Sequence, residues 1–456
     1  MRATVIFCLS VALCACSGPR PRAPSAAAIV PPFAWRVDLE PEGNLGGEWW
    51  RALGDPALNN VVQRALDHNT DVAIAAFRVE EVRSQYRIAE ARRKPNVELG
   101  VEGSHDRTVD PFLQGVTQTD GAAELGVSYD LDLFGRLSSS SAAARASLLA
   151  SEAARDTVRL AIASAAARGY VTLLELDAQL AIVRDTLKAR AGSLHIIRRR
   201  QATGYSSTLE LRQAEAEYYA TEQLIPATEL SIRRQEDGLN LLLGENPASI
   251  ERSVNLLALV LPAVPVGVPA SVLRQRPDLM QAEQQLVATD RSLDVARAEF
   301  LPRILLTASG GYANSTIFAN PINLYSFGGS ILAPFFEGGR LRAAADAAAA
   351  RRDQAAFQYR KSALNAFREV EDALAAVRRG EEQERSIANQ SESLKRTLTL
   401  ATNRFLSGYS PYLEQLDAER QLLSSQLALA QSRADRLAAI IDLYRSLGGG
   451  WRPSQE

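Results

Sequence analysis

Thr203-Gly204-Tyr205-Ser206 returns as Ser407-Gly408-Tyr409-Ser410, and Leu133-Phe134-Gly135-Arg136 returns in position as Glu337-Gly338-Gly339-Arg340. Gly339 follows Gly135, and Gly408 follows Gly204, by the same 204 residues. Equal offsets at two separated sites make the element between them equally long in both halves, so the 456-residue chain reads as two tandem copies of one unit. That element runs from about Arg136 to Ala202 and again from Arg340 to Leu406, with no proline in either. A helix of about 67 residues is a rod about 100 Å long at ~1.5 Å per residue, far beyond the need of a globular core. Gly204 and Gly408 supply the tight turn that ends it.

Working outward, each copy opens with a helix, at about 56–92 and 276–299, which Pro95 or Pro302 brings to a stop. Two strands are expected next. In the first copy Val97, Leu99 and Val101 alternate with Glu98, Gly100 and Glu102, and Leu125, Val127, Tyr129 and Leu131 alternate with Glu124, Gly126, Ser128 and Asp130. This is the period of a strand with one apolar and one polar face. In the second copy, Ile304 to Asn314 and Tyr325 to Phe336 are less regular, and the repeat carries the assignment. Gly135-Arg136 and Gly339-Arg340 form the strand-to-helix joints. Return helices are expected from about Ser206 to Leu243 and Ser410 to Leu447, the first kinked by Pro226, which cannot donate to the Glu222 carbonyl. In the last helix Leu413, Leu416, Leu423, Leu427, Ala430, Ala434, Leu437, Ile441 and Tyr444 follow a 3-4 spacing that predicts a coiled-coil seam, with Arg420 in one of its slots.

Few aromatics (6%), little Met and long Ala-, Leu-, Arg-, Gln- and Glu-rich stretches favour extended helices over a thick core. The N-terminus reads as an export signal: Arg2, a short apolar run from Val5 to Leu13, and Leu13-Cys14-Ala15-Cys16, similar to the lipobox cut by signal peptidase II. Leu13 and Ala15 fit cleavage before Cys16, which favours lipidation there over cleavage without lipid; by resemblance to bacterial lipoproteins, Ser17 directs the product to the outer membrane. Cys8, Cys14 and Cys16 all lie in this segment, so no disulfide is expected in the mature chain. Formal charge goes from −2 to −3 when Arg2 is removed, a balance that leaves no footprint for nucleic acid.

Four strands per chain cannot close a barrel, because spanning barrels need about eight or more and an open edge leaves backbone groups unpaired in lipid. The chain is therefore expected to oligomerise. Two copies give eight strands and a filled interior; three give twelve and room for water. The polar face carrying Glu98, Glu102, Glu124, Ser128 and Asp130 suits a wet interior, and Phe134, Phe335 and Phe336 suit an interfacial girdle.

Here the residues resemble a known family, the TolC-type outer membrane factors, in the NodT-like lipoprotein branch that serves resistance-nodulation-division efflux systems. The resemblance spans nearly the whole mature chain. Its carriers are Trp49-Trp50-Arg51 with Leu53-Gly54-Asp55-Pro56, Tyr129-Asp130-Leu131-Asp132-Leu133-Phe134-Gly135, Arg276-Pro277-Asp278-Leu279 and the paired tips around Gly204 and Gly408. It implies an α+β membrane protein: two repeats of long helices plus a β-hairpin that by trimerisation form a 12-stranded transmembrane β-barrel continuous with a periplasmic α-helical barrel. It also implies an outer-membrane homotrimer reaching into the periplasm and docking a periplasmic adaptor (membrane fusion protein) and an inner-membrane pump. Asp417 and Arg420 fall on family positions that line the closed gate, against the plainer reading of a solvated i, i+3 pair. Tyr205 and Tyr409 either seal the tip or pack it.

The organisation expected is a signal peptide over 1–15, a lipidated segment and equatorial belt over 16–55, a first repeat over 56–244 (strands about 96–108 and 121–132), a linker over 245–275, a second repeat over 276–447 (strands about 303–314 and 325–336) and a tail over 448–456. Beyond the diacylglycerol and acyl chain on Cys16, no cofactor and no metal is expected. His68, His105 and His195 are scattered, and no phosphate-cradling motif is present, so an enzyme is not expected. The rival is a non-conducting, lipid-anchored periplasmic coiled-coil protein, which would have no use for the strands. Multidrug efflux is the cargo the resemblance implies, with metal or solvent export as alternatives.

Overall fold

The computed structural model describes residues 20–36, 46–109, 115–263, 267–316 and 320–451. Cys16 and the signal segment lie outside the described residues. In chain order the elements are α1 (Pro56–His68), α2 (Thr70–Ala91), β1 (Asn96–Val109), β2 (Gly115–Leu131), α3 (Arg136–Ala202), α4 (Thr208–Glu222), α5 (Leu224–Leu242), α6 (Pro269–Gln275), α7 (Pro277–Ala298), β3 (Arg303–Ser315), β4 (Ile322–Leu332), α8 (Arg340–Leu406) and α9 (Tyr412–Ser446). The chain divides into two units. One comprises Met1–Ile29, Phe77–Glu152 and Gln281–Lys361; the other comprises Val30–Ala76, Ala153–Met280 and Ser362–Glu456.

The first unit holds a four-stranded antiparallel sheet in the order β1-β2-β3-β4, the two copies meeting at β2 and β3. Glu98 pairs with Gly126, Leu99 with Leu125 and Val101 with Ala123; Val127 pairs with Ala308 and Leu125 with Gly310; Ala308 pairs with Phe327 and Gly310 with Tyr325. Paired residues share a face. Three corrections apply to the strand limits. β2 begins at Gly115, earlier than expected, and β4 runs from Ile322 rather than Tyr325 to Leu332 rather than Phe336. Pro334, which has no N–H for a ladder, follows the end of β4.

The second unit is built on a helical core. Trp49, Trp50, Leu53, Leu58 and Val62 pack with Tyr170, Leu173 and Leu174 of α3 and with Leu437, Ile441 and Tyr444 of α9. The Leu53-Gly54-Asp55-Pro56 motif has a local cause. Gly54 takes φ +77°, Asp55 then caps α1 through the Ala57 (2.7 Å) and Leu58 (3.4 Å) N–H groups, and the Tyr170 hydroxyl donates to the same carboxylate at 2.9 Å. Arg276 of the Arg276-Pro277-Asp278-Leu279 motif is buried; it bonds Asp278 and Glu369 and donates to the Ser446 carbonyl at 3.0 Å.

The first helix of the first copy departs from expectation, whereas that of the second copy, α7, matches the expected 276–299. Asn69 is extended and separates α1 from α2: its side chain accepts from the Asp71 (2.8 Å) and Val72 (3.2 Å) N–H groups and donates to the Leu242 carbonyl. In the second copy the separate helix α6 precedes α7. The first return helix is divided at Gln223, three residues before Pro226, while α9 is unbroken. Gln223 keeps helical angles (φ −64°, ψ −21°), so the break is local and its cause is the missing Pro226 N–H.

Candidate functional site

In the sheet, alternation and register place unlike chemistry on the two faces. Val97, Leu99 and Val101 share one face with Leu125, Val127, Tyr129, Leu131, Ile304, Leu306, Tyr312, Tyr325, Phe327 and Ile331. Glu98, Glu102, Asp120, Glu124, Ser128, Asp130, Thr307, Ser309, Ser326 and Ser330 share the other. On the polar face the Ser309 and Ser326 hydroxyls lie 2.9 Å apart across β3 and β4. Every residue of β1 and β4 is exposed within the chain; Leu99 is 71% and Phe327 82% accessible. β1 and β4 are the two edges of the sheet.

The joints below the strands are built from charge. Gly135 has φ +72°, Asp132 accepts from the N–H groups of Leu137 (2.9 Å) and Ser138 (2.7 Å) at the start of α3, and Arg136 bonds back to Asp130 at 2.5 Å. In the second copy Gly338 and Gly339 both have positive φ, and Arg340 pairs with Glu337 at 2.8 Å. Phe134, Phe335 and Phe336 stand exposed beside them.

The tips lie in the helical unit. Gly204 (φ +80°) and Gly408 (φ +81°) turn the chain, and the N–H groups of Tyr205 and Tyr409 close onto the carbonyls of Arg200 and Arg404. Tyr205 and Tyr409 themselves are exposed. Phe405 and Tyr412 pack the tips instead, with Leu194, Ile197, Ala214 and Leu416. The tips are tied together by Arg200, which lies over the Phe405 ring and donates to the carbonyls of Phe405 (3.2 Å) and Leu406 (2.9 Å) at the end of α8. At equivalent positions Ser207 caps α4 in a capping box with Glu210, whereas Pro411 leaves α9 uncapped.

Arg420 does not occupy an apolar slot. At this end of α9 the buried face is Tyr412, Gln415, Leu416 and Glu419, while Leu413 and Arg420 are exposed; the regular seam holds only from Ala430 onward, through Ala434, Leu437, Ile441 and Tyr444. Arg420 instead reaches α4, its Nε 2.9 Å from Glu217, with Asp417 3.8 Å away. The buried members of the network are residues that spacing did not reveal. Arg190 of α3 bonds Glu217 at 2.9 Å, donates to the Thr221 hydroxyl and lies 3.9 Å from Glu419, which in turn accepts from Gln415 (2.8 Å) and Ser193 (3.3 Å). Burial pushes the Glu419 carboxyl above the ordinary carboxylate range, against the opposing pull of Gln415, Arg190 and Ser193. The result is an alternating chain, Glu419, Arg190, Glu217, Arg420, Asp417, that joins three helices. A polar seam in place of apolar packing makes a weaker junction, open to salt screening at its exposed Arg420 end.

Among the described residues no group of three or more His, Cys, Asp or Glu is placed to hold a metal ion, and no helix is long and apolar enough to cross a membrane.

The family model for outer membrane efflux proteins matches residues 61–245 and 268–449. The solvent efflux pump outer membrane protein SrpC of Pseudomonas putida is 36% identical over 408 residues, 88% of this chain and 87% of that protein. The solved outer-membrane channel OprN matches with a TM-score of 0.87 at 27% identity, covering 96% of this chain and 99% of the other. The open state of the Neisseria gonorrhoeae MtrE outer membrane channel gives 0.85 at 27%, covering 95% and 98%.

Proposed function

The chain belongs to the outer membrane efflux protein family, and from that premise we propose that three copies close a twelve-stranded transmembrane barrel. It is the outer-membrane channel of an efflux system. The observation that carries the trimer is the sheet: four strands with one apolar, aromatic face, an opposite face that is acidic and hydroxylated apart from Leu305, Ile322, Leu324 and Leu332 on β3 and β4, and two open edges. The apolar face suits lipid and the polar face water. An edge can persist in hydrocarbon only when another strand pairs with it, so β1 of one copy pairs with β4 of the next. The strands, 11 to 17 residues long, meet or exceed the about 9–11 a tilted crossing needs.

The helix tips then form the gate at the periplasmic end, with Asp417 and Arg420 at the constriction and the buried network behind them. The channel holds no energy source; contacts with a periplasmic adaptor and an inner-membrane resistance-nodulation-division pump bias an equilibrium between closed and open tips. Acylation of Cys16 ties the N-terminus to the outer membrane. Cargo is set by the pump, and the solvents named for SrpC are one such class.

Reconstitution of the purified protein into planar lipid bilayers tests the conducting reading. Discrete conductance steps are expected; a membrane-inserted protein that never conducts would leave the lipid-anchored spacer as the better account.

A further inference from the structure

Arg20-Pro21-Arg22-Ala23-Pro24 is a segment that its prolines keep out of a helix, so its carbonyls need partners from elsewhere. Arg352 on α8 supplies them. Its Nη1 donates to the Pro21 carbonyl and its Nη2 to the Arg22 carbonyl, both at 3.1 Å. Nε bonds Asp353 at 2.7 Å, and Asp290 of α7 lies 3.7 Å from Nη1. The side chain is only 4% exposed. From the segment's side Arg20 answers, 2.6 Å from Asp290 and 3.2 Å from Asp294. Asp290 thus serves both arginines. A buried guanidinium that lost two carbonyl acceptors would be left underbonded, so the segment and α8 each complete the other.

We propose that Arg352 is the positioning residue that fixes the lipid-bearing N-terminus to α7 and α8, so that the acyl group on Cys16 is held at a set distance rather than on a loose tether. This rests on the lipidation of Cys16 proposed above. Four residues lead from Cys16 to Arg20, a reach of at most about 14 Å. Without both the Arg352 and the Arg20 contacts, the next side-chain hydrogen bond holding the segment among the described residues is Trp35 to the Gly267 carbonyl, nineteen residues after Cys16, and the tether lengthens to about 65 Å.

Trypsin reads the clamp directly, because the Arg22–Ala23 bond is cleavable, Arg20–Pro21 is protected by its proline, and the Arg22 carbonyl is the one Arg352 holds. In the intact membrane-extracted assembly, slow cleavage at Arg22 is expected, at least tenfold faster in Arg352→Ala. Arg352→Lys keeps the charge but cannot span two carbonyls, and falls between. Arg20→Ala, at a half-exposed position, accelerates cleavage a few-fold and carries the test should Arg352→Ala fail to assemble. Equal rates in wild type and variants overturn the clamp. The mass of the released 16–22 peptide reports the acyl chains independently: accelerated release of an unacylated peptide keeps the contact but overturns its role in anchoring lipid.

Discussion

Arg420 is bonded to Glu217 on the neighbouring helix, at 2.9 Å from Nε, in preference to Asp417 on its own helix, whose nearest oxygen is 3.8 Å from Nη1. With its side chain 49% exposed, the pair adds no more than about 1 kcal/mol to stability, but it bridges the two tips at a point salt can screen. Arg420→Ala and Glu217→Gln should each raise the resting conductance of single channels several-fold at low salt, with the excess shrinking toward 1 M. Unchanged conductance in both would remove this pair from the gate.

The buried half of the network should behave differently. Arg190→Met leaves the buried Glu419 without its cation and Glu217 with Arg420 alone, a loss of about 3–5 kcal/mol. Thermal melts followed by circular dichroism should show a large drop, partly restored by adding Glu419→Gln. A melt indistinguishable from wild type would mean that Arg190 is not compensating these carboxylates.

Glu175 gives the helical unit a pH dependence. Burial, and secondarily Asp435, push its carboxyl up to about 7 from an ordinary value of 4.5. Between those values the folded protein binds more protons than the unfolded chain, so stability is full below the ordinary value, falls as pH rises through the window and levels off above about 7. The total is on the order of 3 kcal/mol per chain. Glu175→Gln keeps an oxygen for the Gln179 amide and should flatten the slope, raising the melting temperature at pH 8 more than at pH 5.

Adjacent residues on β4 separate the two faces of the sheet. Phe327→Arg places a cation against lipid in every chain, about 2–4 kcal/mol each at mid-depth, and should block membrane insertion. Ser326→Arg, on the polar face, should insert normally and shift ion selectivity toward anions. Insertion is read by heat-modifiable migration and urea extraction; equal insertion of both variants would contradict the assigned faces.

Elements with strong periodicity and a matching copy are legible in the sequence: α3 and α8 begin and end where the joint and tip glycines mark them, and the alternation in β1 and β2 separates the same two faces as the register. The break at Asn69 does not show in the apolar periodicity, although Asn69-Thr70-Asp71 carries a recognisable cap signal. Arg420 lies off the seam because a 3-4 count carried back from Ala430 does not follow the buried face near the tip, where Tyr412, Gln415, Leu416 and Glu419 turn inward. Arg190 and Glu419 could not be picked out at all. Each sits among many charged helical residues, and only packing distinguishes a buried charge from a solvated one.

The central claim is that open edges β1 and β4 pair between three copies. Native mass spectrometry of the protein extracted from membranes in mild detergent tests it most directly. A single species at three chain masses is the predicted result; a monomer, a dimer or an open-ended ladder of masses would contradict the closed twelve-stranded barrel.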